Sequence, residues 1–477
     1  MIVRRGDLVA YATGSIGMGV WVTVPGLLLL YFLTHTLGVP PLLAGLTLLL
    51  PKIIDVVVHP YLGSRSDRAA RRSGHRLGML RAGLLLAVAM AGMFTVPAGL
   101  SGPSAALWVG GWFIAGNLLF ACFQVPYLTT PSDLRVGYHE RTRVFMFRML
   151  FLTLGLLGAG VAAPALVAAG GRDDYARMAV LLSGAMVVSG LVAVTGVRRL
   201  TAHAGFRAPA ESHSTLADIT TAWHDRDFRA LVLSYLFTGT TTHLFLAALP
   251  FYTEYVFSDT RLTAVFMGAF LGPAVIAGPV WATVSRRIGK QRGLVISQAV
   301  FVAGSLAPLL GYGTVPALLV VVALGVAFAG LQLFAFSMVP DAVAAASTRG
   351  ATRAGAYTGV WTATEATGTA IGPYLYSAVL AVGGFVATAD GRAVTQPPSA
   401  QTALLLGFTL VPAALMAVAL TFQLRWTLDH PTADHPADDR PVAVPPLPAG
   451  RSADVLAAGA VESSAVVTDD GPSSAGG

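Results

Sequence analysis

The sequence predicts an all-α membrane protein of twelve transmembrane helices in two pseudo-symmetric six-helix bundles, and three observations lead there. Charged residues are only 12% of the 477 positions and hydrophobic residues 55%, whereas a soluble domain carries about 25% charged residues. Apolar stretches of about 20 residues or more, enough to cross a hydrocarbon core of roughly 30 Å, recur along the chain. Two sets of residues also repeat at nearly equal offsets, as expected of a chain built from parallel repeats.

In order, the apolar stretches lie near 8–34, 41–63, 77–97, 105–129, 143–169, 176–197, 228–257, 262–284, 293–312, 315–338, 355–386 and 402–424. The first follows Arg4 and Arg5 and is longer than the roughly 7–15 apolar residues of a secretory signal, so it is expected to remain as a helix. A polar connection, 198–227, separates an N-terminal bundle, 1–197, from a C-terminal bundle, 228–424. Residues 425–477 are rich in Pro, Ala, Ser and Asp. They cannot bury enough apolar surface to offset ordering, and a disordered cytoplasmic tail is expected.

Charge placement gives the orientation. With both termini and every second loop in the cytoplasm, those regions and the adjoining helix ends hold 26 of the 31 Lys and Arg residues. That bias is the topology signal of a multi-pass protein, here expected in the plasma (inner) membrane. The net charge of +7 then needs no nucleic-acid partner. The single cysteine, Cys122, excludes an internal disulfide and a Cys-rich metal site.

The repeat supports two halves. Pro60, Gly63, Asp67-Arg68 and Arg71-Arg72 recur 219 residues later as Pro279, Ala282, Arg286-Arg287 and Lys290. Val125-Pro126, followed by the charged run from Asp133 to Arg143, recurs 214 residues later as Val339-Pro340, followed by Asp341 to Arg353.

Inside the second stretch, Lys52, Asp55 and His59 follow one another at steps of three and four, which puts them on one helix face. A carboxylate at bilayer depth costs roughly 2.5–3.5 kcal/mol on insertion scales, so it is expected to face protein or a wet cavity. Thr358, Thr362, Glu365, Thr369 and Gly372 form a second polar stripe, either a cavity face or a close helix contact through small residues. Thr238-Gly239-Thr240-Thr241-Thr242-His243 reads either as an unwound ligand-facing segment or as a Thr-rich helix interface. Asn117 and Gln124, seven apart, share a face of the fourth helix.

These residues also carry a resemblance. Gly63-x-x-x-Asp67-Arg68-x-Ala70-Arg71-Arg72 resembles the loop signature of the major facilitator superfamily, with Ala70 where Gly is usual. Lys52-x-x-Asp55-x-x-x-His59-Pro60-x-x-Gly63 resembles the second-helix motif of its glycoside–pentoside–hexuronide:cation symporters, the melibiose-permease group. Val125-Pro126-Tyr127 with Glu140-Arg141-Thr142-Arg143 and Arg148 resembles that group's fourth and fifth helices. Pro340-Asp341, Thr352-Arg353-Ala354-Gly355 and Trp361 to Gly372 resemble its tenth loop and eleventh helix. The likeness covers nearly all of residues 1 to 424.

The resemblance implies a secondary transporter working by alternating access. Its cation site normally has a second acid where His59 stands, and its eleventh-helix lysine falls on or near Glu365. The group's helix-one and helix-four acids fall on Gly19 and Gln124; with those acids lost, the resemblance implies that Asp55, His59 and Glu365 couple a proton rather than Na+, imidazole being the side chain that titrates near neutral pH. Lys52, Asn117, Gln124, Arg148, Thr238, Thr242, His243 and Thr362 are expected to line a substrate cavity. Asp67, Arg68, Asp133, Glu140, Arg141, Arg349 and Arg353 are expected to form a cytoplasmic gate, with Asp133 and Glu140 facing Arg349 and Arg353 across the pseudo-twofold axis.

The expected activity is proton-coupled symport of a small polar or amphiphilic solute, sugar- or glycoside-like, by a monomer in a lipid bilayer. A proton-driven efflux antiporter, or a sensor or lipid scramblase on the same fold, are the alternatives. Neither an enzyme activity, a metal nor a cofactor is expected, and no Gly-Lys-Ser/Thr phosphate loop is present to use ATP.

Overall fold

The computed structural model describes residues 3–168, 170–206, 220, 222–311, 313–348, 354–389 and 394–428. The chain divides into two compact units, Met1–Asp429 and His430–Gly477, and every described residue lies in the first. The expected tail and the central part of the 198–227 connection therefore fall outside the described residues, as do Arg349, Arg353 and the side chain of His59.

The described residues form twelve helical rods. In the first half these are α1 (Arg5–Thr36), α2 (Pro41–Ser73), α3 (Leu77–Phe94), α4 (Gly102–Asp133), α5 (Tyr138–Leu166) and α6 (Arg172–Ala204). The second half has α7 (Arg226–Phe257), α8 (Leu262–Ile288), α9 (Lys290–Leu310), α10 (Thr314–Thr348), α11 (Ala354–Val382) and α12 (Pro398–Gln423). Ten are long and apolar enough to cross a bilayer. The other two, α2 and α11, carry Lys52 with Asp55 and the Thr/Glu365 stripe.

Local sequence explains several joints. Gly74, at φ 69°, ends α2 in the left-handed region, and its N–H returns to the Ala70 carbonyl. α1 contains Pro25 and finishes in a π-helical turn, Phe32–Thr36.

Helix pairings repeat between the halves. α1 packs on α5 and α6, α2 on α4, and α3 on α4 and α6; α7 on α11 and α12, α8 on α10, and α9 on α10 and α12 follow the same plan six helices on. Across the halves α2 meets α11, α5 meets α8, and α1 meets α7. α1 and α7 are the innermost pair, buried over 83% and 72% of their most apolar stretches, against 28–50% in the other spans.

The halves touch most closely away from the end that carries Arg5 and Gln423. At this far end Thr388 N–H donates to the Thr34 carbonyl at 2.9 Å, Leu37 bridges Ala389, and Thr260 Oγ1 donates to the Ala168 carbonyl at 2.9 Å. Deeper in, Gly268 on α8 lies against Val161 on α5. Towards the near end the same stripes open, with Ile276 and Val280 on α8 and Leu150 and Met146 on α5 all exposed. The result is a cleft between the halves that widens towards the end bearing the termini.

Candidate functional site between the halves

On the first half the site is built on α2 and α4. Lys52 Nζ donates to Asn117 Oδ1 at 2.9 Å and sits 5.8 Å from the centre of the Phe113 ring. Asn117 is held in turn, its Nδ2 donating to the Phe113 carbonyl at 2.8 Å. Asp55, one turn beyond Lys52, is buried and within electrostatic reach of it. Trp21 of α1 packs on Phe113 and Phe120 and gives this side an aromatic wall. Gln124 is half-buried two turns along α4.

On the second half, His243 donates from Nδ1 to the Gly239 carbonyl at 2.8 Å, and its Nε2 lies 3.3 Å from the Thr369 hydroxyl. Thr369 Oγ1 is also 2.9 Å from the Glu365 carbonyl, so His243 and the Glu365 turn are linked. The Glu365 side chain is half-buried and makes no hydrogen bond or ion pair with any described residue. Beside it, Trp361 stacks on Tyr235 at 4.2 Å, and Tyr235 donates to Gln332 Oε1 at 3.4 Å. Lys52 lies within electrostatic reach of His243, so the two sides of the site face each other across the halves.

Arg148 stands apart on α5. Its guanidinium lies 4.8 Å from the Phe145 ring, Nη2 is 3.4 Å from Met149 Sδ, and Nε is buried without a hydrogen bond.

Other expected cavity residues turn elsewhere. α7 is a continuous helix through Thr238–His243, not an unwound segment. The hydroxyls of Thr238, Thr240 and Thr241 donate back to the carbonyls four residues earlier, so these polar groups are satisfied within the helix itself. Thr238 is not in the cavity: it is buried inside its own half, where Gln298 of α9 donates to it at 3.2 Å. Thr242 is buried too and bonds the Gly239 carbonyl. Thr362 is exposed and donates to the Thr358 carbonyl. Gly368 and Gly372, on the same helix as Glu365, press against the α7 backbone.

Several expected gate residues have partners within the first half. Arg76, which sequence reading did not single out, donates from Nε to Asp133 Oδ2 at 2.5 Å and from Nη1 to Asp67 Oδ1 at 2.7 Å and Ser66 Oγ at 2.8 Å. Burial works against the Arg76 charge, but the hydrogen bonds and charges of Asp133 and Asp67 outweigh it and hold its pKa above the ordinary guanidinium value. Among the described residues Asp133 is thus paired within its own half, while Arg349 and Arg353, its expected partners, lie outside them. Glu140 lies 3.4 Å from Arg143 and accepts from Val3 N–H at 3.2 Å; Arg68 bonds the Ser64 carbonyl, and Arg141 is exposed. The second half has its own pair, Lys290 with Asp341 at 2.6 Å.

Two six-helix halves around a polar, aromatic-walled cleft define the class: a multi-pass membrane transporter of the major facilitator type. The chain matches the family described as MFS/sugar transport protein over residues 10–430, and it belongs to that family.

Its relatives include an uncharacterized symporter of Synechocystis sp., 32% identical over 150 residues, which are 30% of this chain and 27% of that protein. The uncharacterized symporter YjmB of Bacillus subtilis is 22% identical over 314 residues, 63% of this chain and 66% of that protein. The chain thus aligns over only part of these relatives' lengths. YagG of Escherichia coli, whose given name proposes glycoside/cation symport, is 26% identical over 39% of this chain and 40% of its own.

Among solved structures, a bacterial homolog of the human lysosomal transporter Spinster, inward-facing and unoccupied, superposes with a TM-score of 0.66 at 12% identity, covering 89% of this chain and 96% of that one. The nucleoside transporter NupG gives 0.63 at 14% identity, with 89% and 100% covered. At those identities the likeness concerns the fold.

Proposed function

We propose that the chain is a proton-coupled symporter of a small polar organic solute, sugar- or glycoside-like, in the plasma membrane with both termini cytoplasmic. One observation supports the coupling: Glu365, half-buried on α11, has no ion-pair or hydrogen-bond partner for its side chain among the described residues. An intramembrane carboxyl group without a counter-ion is by default a proton- or ion-pathway residue. Asp55 shares its surroundings with the Lys52 cation, which suits it to orienting polar groups of the solute. Lys52, Asn117 and His243 offer donors, and the Trp21–Phe113 and Tyr235–Trp361 pairs flank them with flat apolar faces. The names of the symporter relatives support the same class.

Purified protein in proteoliposomes, given an imposed pH gradient and a panel of radiolabelled sugars and glycosides, tests this. Accumulation that collapses with a protonophore is the expected result. Accumulation driven by Na+ alone and indifferent to the protonophore would remove the proton from the mechanism.

A further inference from the structure

We infer that Glu254, held between Tyr31 and His35, is the latch that keeps the far end of the cleft shut, and that its release is a step of alternating access; this rests on the transporter reading above. Glu254 belongs to α7, Tyr31 and His35 to α1, so the contact crosses from one half to the other. Tyr31 O–H donates to Glu254 Oε2 at 2.6 Å, and His35 Nε2–H donates to Oε1 at 2.9 Å. Both carboxylate oxygens are therefore engaged by the opposite half. The donor rings stack on each other at 4.7 Å, and Phe251 of α7 meets Tyr31 edge-on at 5.1 Å. The side chains are 7% exposed at His35 and 22% at Glu254, so these charge-assisted bonds are largely shielded from water.

Three features set this contact apart from ordinary packing. His35 lies in the π-helical turn Phe32–Thr36, a geometry common at functional sites. The same turn is strapped by the α11–α12 connection: Thr388 Oγ1 donates to the His35 carbonyl at 2.7 Å, and Thr388 N–H to that of Thr34 at 2.9 Å. Finally, His35 Nδ1 is buried without a hydrogen bond, so Glu254 alone orients the ring by hydrogen bonding. Rocking the far end open pulls Tyr31 and His35 away from Glu254 together and breaks both bonds at once.

Spin labels at Leu42→Cys on α2 and Val265→Cys on α8 report this directly, since both positions are exposed and lie at the far end of opposite halves. In a Cys122→Ala background without solute, pulsed-EPR distances measure the far-end-open population. Glu254→Gln keeps the size but removes the negative charge that assists both bonds. Losing that assistance is expected to raise the longer-distance population about tenfold. Tyr31→Phe keeps the ring stack, removes one donor and is expected to shift the population the same way; it decides the matter if Glu254→Gln does not fold. Unchanged distances in a folded variant would overturn the latch. No solute or ion gradient enters the measurement, so a wrong assignment of substrate or coupling ion leaves the result readable.

Discussion

Arg76 Nε reaches Asp133 Oδ2 at 2.5 Å and joins the start of α3 to the end of α4. Both residues are buried, at 5% and 7% exposure. Asp133→Ala takes away one of the two carboxylate partners of Arg76 and leaves it Asp67 alone, and losing a hydrogen bond to a charged group is expected to cost about 1.5–3 kcal/mol. The measurement is the midpoint of thermal unfolding in detergent.

Lys290 and Asp341 join α9 to α10 in the second half and are far more accessible, at 38% and 42% side-chain exposure. Water screens them, and Asp341→Ala is expected to cost only about 0–1 kcal/mol. A loss as large as that of Asp133→Ala would mean that burial does not govern the difference.

Lys52 is the charged donor of the first-half site, and a hydrogen bond from a charged group contributes about 1.5–3 kcal/mol. Lys52→Met removes it from Asn117, and apparent solute affinity is expected to fall about 10- to 100-fold. Lys52→Arg should retain part of the affinity. Initial-rate uptake over a range of solute concentrations checks both variants.

Glu365→Gln keeps the shape of α11 but removes a group that can give up a proton. Gradient-driven accumulation is expected to be lost while solute exchange across the membrane continues. Loss of exchange and accumulation together would assign Glu365 to binding instead of coupling.

Gly372 permits the closest approach of α11 to α7: an added Cβ would fall 2.6 Å from both Leu244 N and the Thr240 carbonyl oxygen. Backbone atoms cannot swing aside, so Gly372→Val is expected to reduce the yield of folded protein. Gly63, in the loop signature, has nothing within 4 Å of the same position. Gly63→Ala should leave the yield unchanged, as size-exclusion profiles would show.

The rods were legible in the sequence because hydrophobic length is a local property, and the repeat was legible because it preserves spacing. The face shared by Lys52 and Asp55 follows from helical period alone. Partners distant in sequence were not legible. Nothing periodic ties Arg76 to Asp133, 57 positions on, or Glu254 to Tyr31, 223 positions back. Thr238 shows a different limit. Its composition suits an unwound, ligand-facing segment or a wound helix equally well. The positions of Gln298, 60 residues away, and Met416, 178 residues away, assign it to the interior of its own half.

Both ionic clamps near the termini, Arg76 with Asp133 and Lys290 with Asp341, are internal to a single half. In the alternating-access mechanism proposed above, such pairs ride along as passengers when one half tilts against the other, neither stretched nor re-formed. On that proposal they stiffen each lever arm, and the barrier to the stroke belongs to the opposite rim, where the arms hold on to each other.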